Sequence, residues 1–158
     1  MSMPLEGILG PEKLKALRAL IDVLIPRTGD APSGVEAGVL EYLQNALVSH
    51  HSAHTAAYSL LLAGLSRRAW EVYQQPYERL SADDAVAVAR QVESQLPGHF
   101  VLVRNHCFEG YFAHPRWRED RGPTIWSAAG FKPVLRNSDQ FGHPDASPPP
   151  SGKDGRSE

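Results

Sequence analysis

The sequence predicts an all-α protein: a single helical bundle of about five helices, an irregular aromatic C-terminal arm and a disordered tail. Three observations carry this. Apolar residues recur at helical spacing in five stretches between Pro11 and Phe112. Prolines and glycines fall between those stretches, where helices have to end. The alternation of β-branched and polar residues that marks a strand is absent.

The elements follow in order. Residues 1–10 carry no helical pattern and read as a flexible N-terminus. Pro11 opens the first helix, because its missing N–H costs nothing in a first turn. Leu14, Leu17, Leu20, Ile21, Leu24 and Ile25 form its stripe, and Pro26 ends it. Ser33 stands three residues before Glu36, a capping box that predicts a second helix with Val35, Val39, Tyr42, Leu43, Ala46 and Leu47 inward. A longer helix is expected from about Ala53 to Gln75, with Gly64 inside it as a point of close packing. Ser81, Asp83 and Asp84 give the next helix a strong start, since the dipole favours acid there. After Pro97 and Gly98, a fifth stretch runs from His99 to about Phe112. Val101 and Val103 make a strand conceivable in it, but the periodicity that continues past them favours helix.

After Phe112 the texture changes. Pro115, Gly122, Pro123, Gly130 and Pro133 crowd together around Trp117, Trp126 and Phe131. Aromatics this large in an irregular segment are expected to be buried against something. The domain therefore spans 11–142. Residues 143–158, rich in Pro, Gly and Ser, have little to bury and should be disordered.

Bulk properties exclude some functions. The net charge of −2 and the pI near 6.4 provide no field for a polyanion, so no nucleic-acid partner is expected. No run reaches the roughly 18 apolar residues of a spanning helix, so no membrane insertion is expected. Cys107 is the single cysteine, too few for an internal disulfide or a multi-thiolate metal site. It reads as a small buried apolar group, or else as a reactive or bridging thiol.

The search for chemistry is mostly negative. His50 and His54, four apart with His51 beside them, invite a metal, but a site needs a third or fourth ligand with supporting partners behind it, and no acidic residue lies near in sequence. They are expected to be surface histidines at a fraying helix end. His106 and Glu109 reverse the Glu-x-x-His order of carboxylate-bridged bundles. Cys107 adjoins His106, but neighbours on a helix do not face each other. No nucleophile elbow and no Gly-rich phosphate loop is present. Arg67 and Arg68 lie deep in a helical stretch and read as a solvated face. The expectation is therefore no catalytic, cofactor-binding or metal-binding residue in this chain.

Two stretches resemble a known family. One runs Ala19-Leu20-Ile21-Asp22-Val23-Leu24-Ile25-Pro26-Arg27-Thr28 and on to Glu36-Ala37-Gly38-Val39. The other is Gly110-Tyr111-Phe112, then Pro115 with Trp117, then Arg121-Gly122-Pro123. Together, over about Leu14 to Pro133, the chain resembles the gluconate 2-dehydrogenase small-subunit family, often called subunit 3. The resemblance implies a helical small subunit beside a large flavoprotein dehydrogenase of the glucose–methanol–choline type. That partner holds the FAD and oxidises a sugar, sugar acid or related alcohol, often passing electrons to a cytochrome c. The small subunit supports maturation, stability or export. Many members begin with a twin-arginine export signal, and none is readable here, which implies a cytoplasmic complex or a periplasmic one whose partner carries the signal.

On this reading the chain is a non-catalytic accessory subunit, and a free-standing helical binding or chaperone module is the alternative. The residues expected at the partner interface are Arg27, Tyr111, Phe112, Arg116, Trp117, Trp126 and Phe131. Aromatic anchors and arginine forks are the side chains that interfaces favour. Trp117 and Phe131 also suit packing on the chain's own core.

Overall fold

A computed structural model describes residues 5–113, and within them the protein is helical, with no named strand. The helices are α1 (Leu5–Leu9), α2 (Pro11–Leu24), α3 (Val39–Val48), α4 (Thr55–Tyr73), α5 (Ala82–Gln95) and α6 (Pro97–Ala113). Short 3₁₀ turns at Ser52–His54 and Tyr77–Arg79 lead into α4 and α5.

Five of these are the helices expected from the periodicity, and α1 is an addition. The flexible lead-in expected over residues 1–10 is instead helical from Leu5 to Leu9. Leu5 and Leu9, one turn apart, share a face and are both buried. Two apolar residues are too few to register as a periodic stripe, yet enough to anchor one turn.

The Ser33–Glu36 capping box forms, but it does not start the second helix directly. Ser33 N–H donates to Glu36 Oε2 at 2.8 Å, and Glu36 N–H to Ser33 Oγ at 3.4 Å. One turn closes, with Ala37 N–H on Ser33 O at 2.9 Å. Gly38 then takes a left-handed conformation at φ 84°, which no right-handed helix passes through, and α3 starts at Val39.

The other boundaries follow their local chemistry. Gln74 caps α4 at φ 56°, its backbone and side-chain N–H groups both donating to Trp70 O. Ser81 Oγ accepts from Asp84 N–H at 3.2 Å and caps α5. α6 begins at Pro97, two residues ahead of His99, because proline fits a first turn.

α4 lies at the centre and packs against α1, α2, α5 and α6, while α3 packs on α6. Leu17, Leu20 and Ile21 of α2 meet Leu61, Leu62 and Leu65 of α4, Val88 and Val92 of α5, and Val103 of α6 in one core. Two tyrosines are fully inside it, and each hydroxyl has a partner. Tyr77 donates to Ala85 O at 3.1 Å, and Tyr58 meets His106 Nδ1 at 3.0 Å. No helix of the described residues is long and apolar enough to cross a membrane.

Gly64, expected at a close helix contact, does not need to be glycine. A Cβ there would stand 3.5 Å from Val92 and 3.6 Å from Leu96, ordinary van der Waals contact. The close approach is at Gly110, where a Cβ would stand 2.6 Å from the Tyr42 ring. The two sites should respond oppositely to alanine in urea denaturation. Gly64→Ala should stabilise the fold by about 0.5–1 kcal/mol through helix propensity. Gly110→Ala should destabilise it by about 1–3 kcal/mol through overpacking of α3 against α6.

Candidate functional site

The residues of the first motif block build a loop between α2 and α3 that is held by its own polar groups. Arg27 forks onto Glu36, with Nη2 on Oε1 at 2.7 Å and Nε on Oε2 at 3.1 Å. The fork and the Ser33 N–H together hold the Glu36 carboxyl below its usual pKa, against a small opposing effect of burial. Asp22 Oδ1 accepts from Val35 N–H at 3.2 Å, and Gly34 N–H donates to Ile25 O at 2.9 Å. Arg27 thus spends its planar fork within the chain, and a partner carboxylate would compete with Glu36 for it. The pair is exposed, so its own contribution to stability is small.

The second block meets the first in space. Tyr111, only 8 % exposed, donates its hydroxyl to Pro32 O at 3.0 Å. Phe112 is half-buried, its ring edge-on to Tyr111 with centroids 5.2 Å apart. Tyr111 is therefore a strut between α6 and the α2–α3 loop, with its aromatic body in the core and little surface left for a partner. Arg116, Trp117, Trp126 and Phe131 lie outside the described residues.

A second constellation joins parts of the chain that the sequence separates. His51 and His54, in the turn before α4, come against His106 of α6. The His51 and His106 rings stack with centroids 3.9 Å apart and planes 13° from parallel. His54 lies 5.5 Å from the first and 5.2 Å from the second. His106 is 7 % exposed, and His51 and His54 are half-buried, so these are not the solvated histidines expected at a fraying end. His50, the other member of the expected pair, is exposed and faces Ser49 Oγ through Nδ1 at 3.0 Å.

The groups behind the rings are ordered too. Tyr58 holds His106 Nδ1, and Glu109 Oε2 stands 3.4 Å from His51 Nε2. Tyr42 hydrogen-bonds Glu109, and burial together with that carboxylate pushes the Tyr42 hydroxyl up to about 12. Burial would raise the Glu109 carboxyl, but Tyr42 and His51 outweigh it and hold it below its usual value. Burial, reinforced by the neighbouring His51 and His54, lowers the His106 imidazole to about 4. His54 Nδ1 is buried with no hydrogen-bond partner. The sequence offered only half of this arrangement. The i, i+3 spacings of His51 with His54 and of His106 with Glu109 were visible, but their meeting depends on α6 folding back along α4.

Cys107 points the other way, into the core, fully buried, and burial alone pushes its thiol up to about 12. Its neighbour His106 faces the imidazole cluster, so the two do not form a nucleophile and base. A shallow apolar groove of about 350 Å³ runs between α2 and α5 over Val23, Tyr77, Leu80 and Val86, edged by Asp22 and Glu78. Two like-charged carboxylates at its edge give no convergent polar set for a small molecule.

What the described residues define is a small helical bundle in which the α2–α3 loop and α6 lock together. The family model for gluconate 2-dehydrogenase subunit 3 matches residues 11–133, and the chain belongs to that family. Comparison with curated proteins gives no match, and comparison with solved structures gives none.

Two outcomes test this account of the site residues. Tyr111→Phe should cost about 1 kcal/mol in urea denaturation, the value of one lost hydrogen bond with a buried carbonyl left behind. Cys107 should react with a thiol reagent more than about 100-fold more slowly in the folded chain than in denaturant at the same pH, because the thiolate is suppressed and covered.

Proposed function

We propose that this chain is a non-catalytic subunit that binds and stabilises, or helps mature, a large FAD-dependent dehydrogenase of the glucose–methanol–choline type acting on a sugar, sugar acid or related alcohol. The observation that carries the reading is the family match over 11–133. The partner holds the flavin, and the electrons leave through an acceptor such as a cytochrome c.

The surface of α6 supports the reading. A helix that faces water on one side is polar there, whereas a helix apolar on all sides needs cover. Val101 and Phe108 are exposed on α6, and with half-buried Phe112 they recur at intervals of seven and four, one stripe along the helix. Leu60 and Trp70 of α4 are each about half exposed. Tryptophan is over-represented among residues that dominate binding energy. The stripe on α6 runs toward the residues of the aromatic arm, so partner contacts are expected to continue from Phe108 and Phe112 into that arm.

Co-expression with a candidate flavoprotein encoded alongside it is the test. The two chains should co-purify in fixed stoichiometry, with the yellow colour in the large one, and the large chain should lose solubility or flavin when this one is omitted. Phe108→Glu and Trp70→Glu change exposed side chains and should leave the isolated chain folded by circular dichroism. At least one should weaken the complex by about 2 kcal/mol or more. A flavoprotein equally soluble, loaded and active without this chain would refute the reading.

A further inference from the structure

We propose that His51, His54 and His106 form a binding site for one late first-row divalent metal ion of the zinc class, clamping the turn before α4 to α6. The proposal is independent of the flavoprotein reading and rests on the geometry of the cluster.

The donor set comes first. The three side chains each offer a ring nitrogen, and these atoms all lie within 4.8 Å of one another. Tetrahedral zinc at a Zn–N distance of about 2.05 Å sets neighbouring nitrogens about 3.3 Å apart. The widest pair therefore has to close by at most about 1.5 Å, and the His51 ring has to tilt out of its stack on His106 so that the in-plane lone pairs converge on one ion. Two of the three rings stand on the turn before α4 and the third on α6, so one ion would bridge the two elements.

The groups behind the donors are those a metal-bound histidine requires. A ligating imidazole almost always gives its second N–H to a carboxylate or another oxygen, which fixes its tautomer and orientation. His51 has Glu109 on Nε2 and His106 has Tyr58 on Nδ1, so each has its opposite nitrogen left for an ion. Glu109 is in turn held by Tyr42. His54 provides the independent sign. Its Nδ1 is buried and has no partner within the protein, and an unpaired buried polar atom costs free energy unless something meets it.

The chemistry narrows the ion. Imidazole nitrogen without thiolate suits zinc, copper and nickel, and is a poor match for calcium or magnesium, which take oxygen donors. Three protein ligands leave a fourth position. His51 retains about one-fifth of its side-chain surface, so an ion has a path in from solvent. Among the described residues this is the group of three metal-ligating side chains that the fold assembles.

The test uses the full chain stripped with EDTA and titrated with Zn²⁺ alone by calorimetry, with Co²⁺ as a visible probe. One ion per chain is expected, with tetrahedral Co²⁺ absorption and a raised melting temperature. His51→Ala and His54→Ala, both at half-exposed positions, should each lower affinity by more than about 100-fold, and Glu109→Gln by about 10-fold. His99→Ala, outside the cluster, should bind as the parent does. Circular dichroism of each variant separates lost ligation from lost folding. Absence of stoichiometric binding, or binding unchanged in folded His51→Ala and His54→Ala, would overturn the proposal.

Discussion

The Tyr58–His106 hydrogen bond is the contact on which the arrangement of this protein turns. Tyr58 is fully buried on the central helix, and a buried hydroxyl without a partner costs about 1–3 kcal/mol. Here a polar side chain from a facing element meets it. His106 provides that side chain at 3.0 Å, which fixes how α6 lies along α4. Every other feature of the bundle's histidine end follows, because His106 can reach Tyr58 only by standing beside the turn that carries His51 and His54. The same placement turns the next residue, Cys107, inward as a packing group.

A second constraint acts one turn further along the same side of α6. Gly110 lets the Tyr42 ring lie against the helix backbone, and the next residue sends its hydroxyl to Pro32 O. The first sequence block and the Gly110-Tyr111-Phe112 part of the second are therefore one piece of structure, although about 70 residues separate them in the chain. The loop has its own frame in the Arg27–Glu36 fork and the Ser33–Glu36 capping box. Tyr111 then ties that frame to α6. The restrictions on residue type in these blocks have a physical origin: glycine where rings approach, tyrosine where a loop carbonyl needs a donor, and an arginine fork where a turn has no helix to support it.

The fold was legible where one physical signal acted alone. Ser81 with Asp84 and the long apolar stripe of α4 each specify a local conformation through short-range chemistry, and each helix formed where that chemistry placed it, whereas Pro97, read as a break, opens α6. Reading failed where two signals competed or where the decisive contact was distant. The Ser33–Glu36 box was real, but Gly38 broke the turn it started. Gly64 carried the composition of a close contact, yet the contact lay at Gly110, where only the partner ring reveals it. Tyr111 has the composition of an interface anchor and is held by the chain's own Pro32. The histidines were misjudged as solvated because their third member lies 52 residues beyond His54.

α6 brings these threads together, since it packs against α2, α3, α4 and α5. Its inner face enters the core through Phe100, Val103 and Cys107, one flank carries His106 and Glu109, and Val101 and Phe108 look outward while Phe112 packs half-buried against the core. A helix serving only its own bundle has no reason to keep that outer stripe apolar, because lysine or glutamate there would cost nothing in packing and would improve solubility. The exposed surface of Val101 and Phe108 suits a cover supplied from beyond α6. The rigidity imposed by Tyr58, His106, Gly110 and Tyr111 suits such a surface. A docking face held on a fixed helix loses little conformational entropy on binding, so more of its buried area appears as affinity.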